Sequence, residues 1–463
     1  MSETVSLDLL DQTAGEIVAA LAAREVGALE LADAAIARIE ARDGPINAVV
    51  VRDFERARQA ARAADAALAR GERRPLLGLP MTVKESNEVE GLPSTWGSPA
   101  FSGWVAEKDA VAVARLKAAG AVILGKTNVP PFLADWQSTN PVYGRTKNPW
   151  DLGLSPGGSS GGSAAALAAG MTPLEFGSDI GGSIRVPAAF CGVYGHKPSY
   201  GLIPTRGHSP PGLDGGPIAL ACVGPLARCA ADLDLALGVT AGPEPEEAVG
   251  YALNLRGPRH AELADYRVFV LDRHPAVATD SEVAGAVQAL AGKLDAFGCQ
   301  VTRGSDLLPD LAAQHAIYMA LVGAAMSRGS PGGTTLNAHE WMNLLDAQVA
   351  YRRHWARFFE DFDVVVAPTF GTVAYPHVDE PDNSKRVLMI DGQPTPYFAQ
   401  LGWPGLALLP NLPATAFPAG FTRGGLPIGL QAIGPYLEDR TTIAFAGLLE
   451  REFGGFKAPP PLV

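Results

Sequence analysis

GLSPGGSSGGSAAALAAG at 153–170, followed by MTPLEFGSDIGGSIR at 171–185, is the stretch on which the reading turns. By composition alone a Gly/Ser-rich run is a flexible linker. Its surroundings oppose that. The first Gly-Gly-Ser turn runs into SAAALAA, a helix former, and the second follows PLEFGSD, a strand-like segment, so both turns sit at element junctions of a compact α/β region. Gly-Gly before Ser lets the backbone bend sharply and exposes consecutive N–H groups, the geometry an oxyanion hole requires. The serines held there are candidate nucleophiles.

The same texture extends outward. AVIL at 121–124, VVVAP at 364–368, ATAFP at 414–418 and PIGLQAIG at 427–434 read as buried strands. YRVFVLD at 266–272, a capping box at Thr279 and Glu282, an amphipathic run to Gly298 and then CQVT read as strand, helix and strand, which implies a right-handed crossover. Residues 13–70 read as helices, opened by a capping box at Thr13 and Glu16, and 307–360 look helical again. The expectation is an α/β protein of one large domain: a helical segment at 1–70 packed on the core, a core at 71–235 holding both Gly/Ser turns, and the remainder of the same domain at 236–463.

Hydrophobic residues make up 47% of the 463 and charged residues 19%, which excludes disordered and fibrous classes. A net charge of −12 argues against nucleic-acid or anionic-membrane partners, which need a basic surface. Cys191, Cys222, Cys229 and Cys299 form no C-x-x-C pair, so neither a disulfide framework nor a thiolate metal site is suggested, and no metal or cofactor is expected. The N-terminus lacks a signal-peptide pattern, and no apolar run reaches membrane-spanning length. A cytoplasmic protein is expected.

Three motifs mislead. GAVILGKT at 120–127 fits G-x-x-x-x-G-K-[ST], but its apolar middle would itself be the strand and Pro130 and Pro131 interrupt the helix that should follow, leaving Lys126 an ordinary strand-end residue. Ser159 and Ser160 each fit G-x-S-x-G, yet a turn-rich loop rather than a strand precedes them. His339 and Glu340 begin H-E-x-x-H, but position 343 is Asn. With no histidine in a recognisable setting, the remaining common base for a serine is a lysine made neutral by burial. Lys84, after the apolar run LLGLPMTV, is the candidate, against the plainer reading of a surface lysine at a strand end.

At this point the sequence resembles the amidase signature family of serine hydrolases, along most of its length. The resemblance is carried by GLPMTVKES at 78–86, AVILGKTN at 121–128, NPVYGRTKNPWD at 140–151, PGGSSGGSAA at 156–165, FGSDIGGSIRVPAAFCGVYGHKP at 176–198, VGPLAR at 223–228, LPATAFPAG at 412–420 and GLPIGLQAIG at 425–434. It implies a central twisted mixed β-sheet flanked by helices. It also implies Ser183 as nucleophile, Ser159 as the cis-serine relay and Lys84 as base, with the N–H groups of Ile180, Gly181, Gly182 and Ser183 as oxyanion donors. Ser160, Asp179 and Arg185 match positions that hold the two loops together.

Two stretches depart from the family pattern: Glu85-Ser86 after the lysine, and PTRGHSPPG at 204–212. Phe132, Trp136, Tyr318, Met319, Trp341 and Met342 are expected to line an apolar cleft for neutral, fairly hydrophobic amides, anilides and carbamates, the overall pattern also being similar to urethanases and aryl acylamidases of the family. The partner is then a small-molecule amide or carbamate, with a homodimer left open. The alternatives are the glutamine-amidase subunit of a tRNA-dependent amidotransferase, or an idle binding protein with the same fold.

Overall fold

Strands that read as continuous apolar runs are buried on both faces, so they lie inside a sheet rather than on its solvent side. The computed structural model, which describes residues 9–213, 215–327 and 333–461, gathers them into one sheet of eleven strands. In spatial order these are Val49–Arg52, Val122–Thr127, Pro80–Lys84, Leu174–Asp179, Cys222–Ala227, Tyr194–Lys197, Ala414–Phe421, Pro427–Ile433, Val364–Pro368, Arg267–Val270 and Gln300–Thr302. The sheet is mixed. Pro80–Lys84 runs parallel to both neighbours, whereas Leu174–Asp179 and Cys222–Ala227 are antiparallel. Helices pack against it, and the core continues from Leu10 to Leu449. One α/β unit therefore spans all three stretches of chain.

The first 70 residues are not wholly helical. Helices Ala14–Ala23, Ala28–Ile46 and Phe54–Ala69 are present, but Val49–Arg52 pairs antiparallel with Val122–Thr127 as the outermost strand. Its three consecutive valines favour a pleated strand, and Asn47 in the left-handed conformation ends the helix just before them. The capping box at Thr13 forms as expected. The one at Thr279 does not: Asp280 caps the helix Ser281–Phe297 through Glu282 N, because the Thr279 hydroxyl is taken by Trp403 Nε1 at 3.1 Å. Glu340, the false metal-site glutamate, belongs to a capping box with Asn337 that opens the helix Ala338–Asp361.

Strands Arg267–Val270 and Gln300–Thr302 are parallel and flank that Asp280-capped helix in sequence. Val122–Thr127 is itself a strand, fully buried, so no phosphate loop exists there. Lys126 is more than an ordinary strand-end residue: it is wholly inside the protein, its amine bonded to Pro93 O and to Ser94 Oγ at 2.7 Å. Among the described residues no helix is long and apolar enough to cross a membrane.

Candidate active site

Lys84 ends the strand Pro80–Lys84, every residue of which is buried, so the backbone leaves its side chain no route to water. Its Nζ lies 2.6 Å from Ser159 Oγ and 2.9 Å from Ser178 Oγ. Burial pushes the amine well below its ordinary 10.5, and the nearby Asp179 carboxylate only partly counteracts this. The surface-lysine reading is thereby excluded.

Ser159 follows the non-proline cis peptide Gly158–Ser159. Only glycine fits before it, since a Cβ at 158 would lie 2.6 Å from Asp135 O. The loop is braced by Ser138 Oγ, which bonds Gly161 N at 3.0 Å and Gly157 O at 3.3 Å. Ser160 bridges the two Gly/Ser turns, its N–H on Ser183 O at 3.1 Å and its hydroxyl on Ser178 O at 3.3 Å.

The second turn is built around a buried ion pair. Arg185 donates to both Asp179 oxygens at 3.0 Å, while Asp179 also accepts Gly182 N at 2.8 Å and Ile184 N at 3.2 Å. Burial would raise the Asp179 carboxyl, but Arg185, Lys197 and the Gly182 N–H together outweigh it and hold the group below its ordinary value. Arg185 reaches on to Gln431 Oε1 at 2.7 Å, anchoring the loop to the strand Pro427–Ile433. Of the positions expected to hold the two loops together, Ser160 touches both, whereas Asp179 and Arg185 brace the second turn and tie it to Pro404 and Gln431.

Of the four N–H groups expected to receive an oxyanion, that of Gly182 is already spent on Asp179. Those of Ile180, Gly181 and Ser183 have no hydrogen-bond partner among the described residues. The carbonyls of Ile180 and Gly181 are held instead, by Tyr318 Oη and Trp136 Nε1, each at 2.8 Å.

Ser183 stands where two chambers meet. The smaller, about 340 Å³, is walled by Trp136, Met319, Val322, Met326, Phe398 and Leu401. The larger, about 620 Å³, contains Ser159, Trp96, Phe101, Phe132, His208 and the prolines 210 and 211. Ser183 and Ser159 make no side-chain hydrogen bond to each other among the described residues. Of the predicted cleft residues, Phe132, Trp136 and Met319 line it. Tyr318 is fully buried behind the Ile180 carbonyl, Trp341 packs on a neighbouring helical cluster and Met342 is 58% exposed, so these three do not. The stripe that faces the cleft, Met319, Val322 and Met326, belongs to the helix Leu311–Met326, and no described residue of the helix Ala338–Asp361 lines either chamber.

Sequence reasoning missed Ser178, Met326 and Trp96; it placed the 200–216 segment at the cleft without singling out His208. A histidine does reach the cleft: His208 Nε2 lies 3.0 Å from Ser86 Oγ, joining the two stretches that depart from the family pattern. Burial, the largest cause, pushes its imidazole down to about 3, so it is neutral at working pH. The signal available in sequence was that both departures flank the same site. The charged residues lining the chambers, among those described, are Asp135 and Asp179, and each is paired, Asp135 with Arg386 at 2.6 Å.

The profile of the family described as amidase matches residues 30–332 and 325–443. A glutamyl-tRNA(Gln) amidotransferase subunit from Roseiflexus sp. (strain RS-1) is 33% identical over 484 residues, covering 93% of this chain and 94% of that protein. An inhibitor-bound chain from a vestigial protein complex, described as revealing the origins of an s-triazine catabolic enzyme, has a TM-score of 0.82 at 30% identity, covering 95% and 98%. A substrate-complexed 6-aminohexanoate cyclic dimer hydrolase has a TM-score of 0.80 at 26% identity, covering 96% and 97%. The chain belongs to the amidase signature family, hydrolases of carbon–nitrogen bonds.

Proposed function

We propose that this protein hydrolyses neutral, fairly hydrophobic amides and anilides, and carbamates, through an acyl-enzyme on Ser183. The observation that carries the mechanism is the 2.6 Å contact between the buried Lys84 amine and Ser159 Oγ. Neutral Lys84 takes the Ser159 proton as Ser159 takes that of Ser183, whose oxygen attacks the carbonyl. The N–H groups of Ile180, Gly181 and Ser183 receive the oxyanion. Run backwards, the relay protonates the departing nitrogen, which an amide needs because an amide anion leaves poorly. Water, deprotonated by the same relay, then releases the acyl group. With a carbamate the intermediate is a carbonate ester.

Substrate charge is argued from the chamber walls. An ionic substrate needs a partner for each charge it buries. The described lining carries only carboxylates already paired to arginine, and its remaining surface is mainly aromatic and aliphatic. A second reading, the glutamine-amidase component of an amidotransferase, is favoured by the 33% identity to the Roseiflexus protein. Glutamine, however, brings an α-ammonium and an α-carboxylate. Hydrolysis rates over a panel of anilides, aliphatic amides, carbamates, esters and glutamine discriminate the two: turnover of anilides or carbamates well above glutamine supports the first reading, and glutamine turnover alone overturns it.

A further inference from the structure

We propose that Tyr318 and Trp136 act as a paired clamp on the oxyanion-binding loop: Tyr318 aims the Gly181 N–H at the reacting carbonyl, and Trp136, besides walling the smaller chamber, locks the adjoining Gly181–Gly182 peptide against Asp179. The inference rests on the assignment of Ser183 as nucleophile. In a planar trans peptide the C=O and the following N–H point in opposite directions, so whatever grips one sets the other. Tyr318 Oη donates to Ile180 O at 2.8 Å, which turns Gly181 N–H away from Tyr318. Trp136 Nε1 donates to Gly181 O at 2.8 Å, and the opposite end of that peptide, Gly182 N–H, meets Asp179 at 2.8 Å. Both peptides of the Ile180-Gly181-Gly182 turn are thus fixed at the carbonyl end.

The turn needs such fixing. Two adjacent glycines carry no Cβ to restrict rotation, and Gly182 has φ +92°. The gripping groups come from distant parts of the chain and are themselves immobilised. Tyr318 is fully buried on the helix Leu311–Met326, and a Cβ at Gly405 would lie 2.6 Å from its ring. Trp136 is enclosed by Phe370, Tyr397 and Phe398 at ring separations of 4.9, 5.2 and 5.5 Å, and its own carbonyl accepts from Ser155 Oγ at 3.1 Å. A donor on each carbonyl also polarises the peptide, strengthening the N–H at its other end. Oxyanion donors contribute through preorganisation, so a turn free to rotate would lose transition-state binding while ground-state binding stayed.

Tyr318→Phe removes one grip and keeps the ring. It is expected to lower kcat by on the order of ten- to a hundred-fold with KM little changed. The affinity for an arylboronic acid, which forms a tetrahedral adduct on the serine, should fall by the same factor, while that for a non-reacting product amine and the pH at half-maximal kcat/KM stay as in the unaltered protein. Trp136→Phe, which also alters the wall of the smaller chamber, is expected to lower kcat and the boronate affinity together and serves if the first variant melts below the assay temperature. A raised KM with unchanged kcat, or a boronate affinity that does not fall, overturns the clamp. Ser183→Ala is measured alongside: retained turnover there refutes the nucleophile assignment itself, whereas lost turnover with an unaffected Tyr318→Phe refutes the clamp alone.

Discussion

Two lysines on neighbouring parallel strands, Lys84 and Lys126, are both fully buried, yet they differ in what they touch. Lys84 faces two hydroxyls, Ser159 Oγ and Ser178 Oγ. Lys126 donates to the Pro93 carbonyl and the Ser94 hydroxyl. Burial pushes both amines down, but Glu85 and Glu88 hold Lys126 up at about 8, whereas Asp179, the charge acting on Lys84, is itself tied to Arg185 and Lys84 falls well below 10.5. Desolvation alone does not make a base. A base also needs a donor that can surrender its proton to it, and only Lys84 has one that leads to the cleft.

The sharpest way to break this contrast is to remove each amine. Lys84→Met should lower kcat/KM by on the order of a thousandfold or more, as expected for losing the base of a nucleophilic serine. Lys126→Met should leave most turnover intact and change the thermal midpoint instead, because its hydrogen bonds join Pro93 and Ser94 to the strand Val122–Thr127. Equal loss of turnover in both variants would erase the distinction.

Next in size is a stability effect beside Lys84. Glu175, in register with Thr82, is fully buried, and burial pushes its carboxyl from 4.5 up to about 8 against the hydrogen bonds from Thr82 and Thr172. The folded state therefore holds one more proton than the unfolded between pH 4.5 and about 8, so stability is fully present below this window and declines as pH rises through it. The full loss is on the order of 5 kcal/mol by linkage. Denaturant midpoints of Glu175→Gln, which keeps an acceptor for both threonines, should show a much flatter pH dependence. A slope equal to that of the unaltered protein would rule out the neutral carboxyl.

The smallest expected effect lies at His208. Held neutral with its value pushed down to about 3, it cannot supply a titration between pH 5 and 9. His208→Phe should change relative rates among substrates with different leaving groups by a few-fold, through the wall of the larger chamber, without moving the acid limb of kcat/KM. Movement of that limb would assign the proton transfer to histidine.

Much of this was readable from residues 153–185 alone, because Gly-Gly-Ser before a helix and after a strand constrains both backbone and chemistry. Apolar runs located Val364–Pro368 and, Gln431 apart, Pro427–Ile433, because strands buried on both faces are mainly apolar. It missed Val49–Arg52, which is short and sits among helices. Gln431, a polar residue inside an apolar strand, was a visible sign of a buried partner, and Arg185 proves to be that partner. Tyr318 was misjudged for a different reason. Its aromatic ring signals burial, but its hydroxyl contact to Ile180 crosses 138 positions of chain and only the folded packing brings the two together. Thr279 was displaced as a cap by an equally suitable neighbour, a choice decided by Trp403 from across the fold.

The most direct test is titration of the Lys84 amine itself. In Ser183→Ala protein carrying lysine labelled with carbon-13 at Cε, the Lys84 resonance, assigned by its loss in Lys84→Met, is expected to titrate well below the ordinary lysine range, burial disfavouring the cation. A Lys84 signal that stays cationic until pH approaches its ordinary 10.5 would contradict the account.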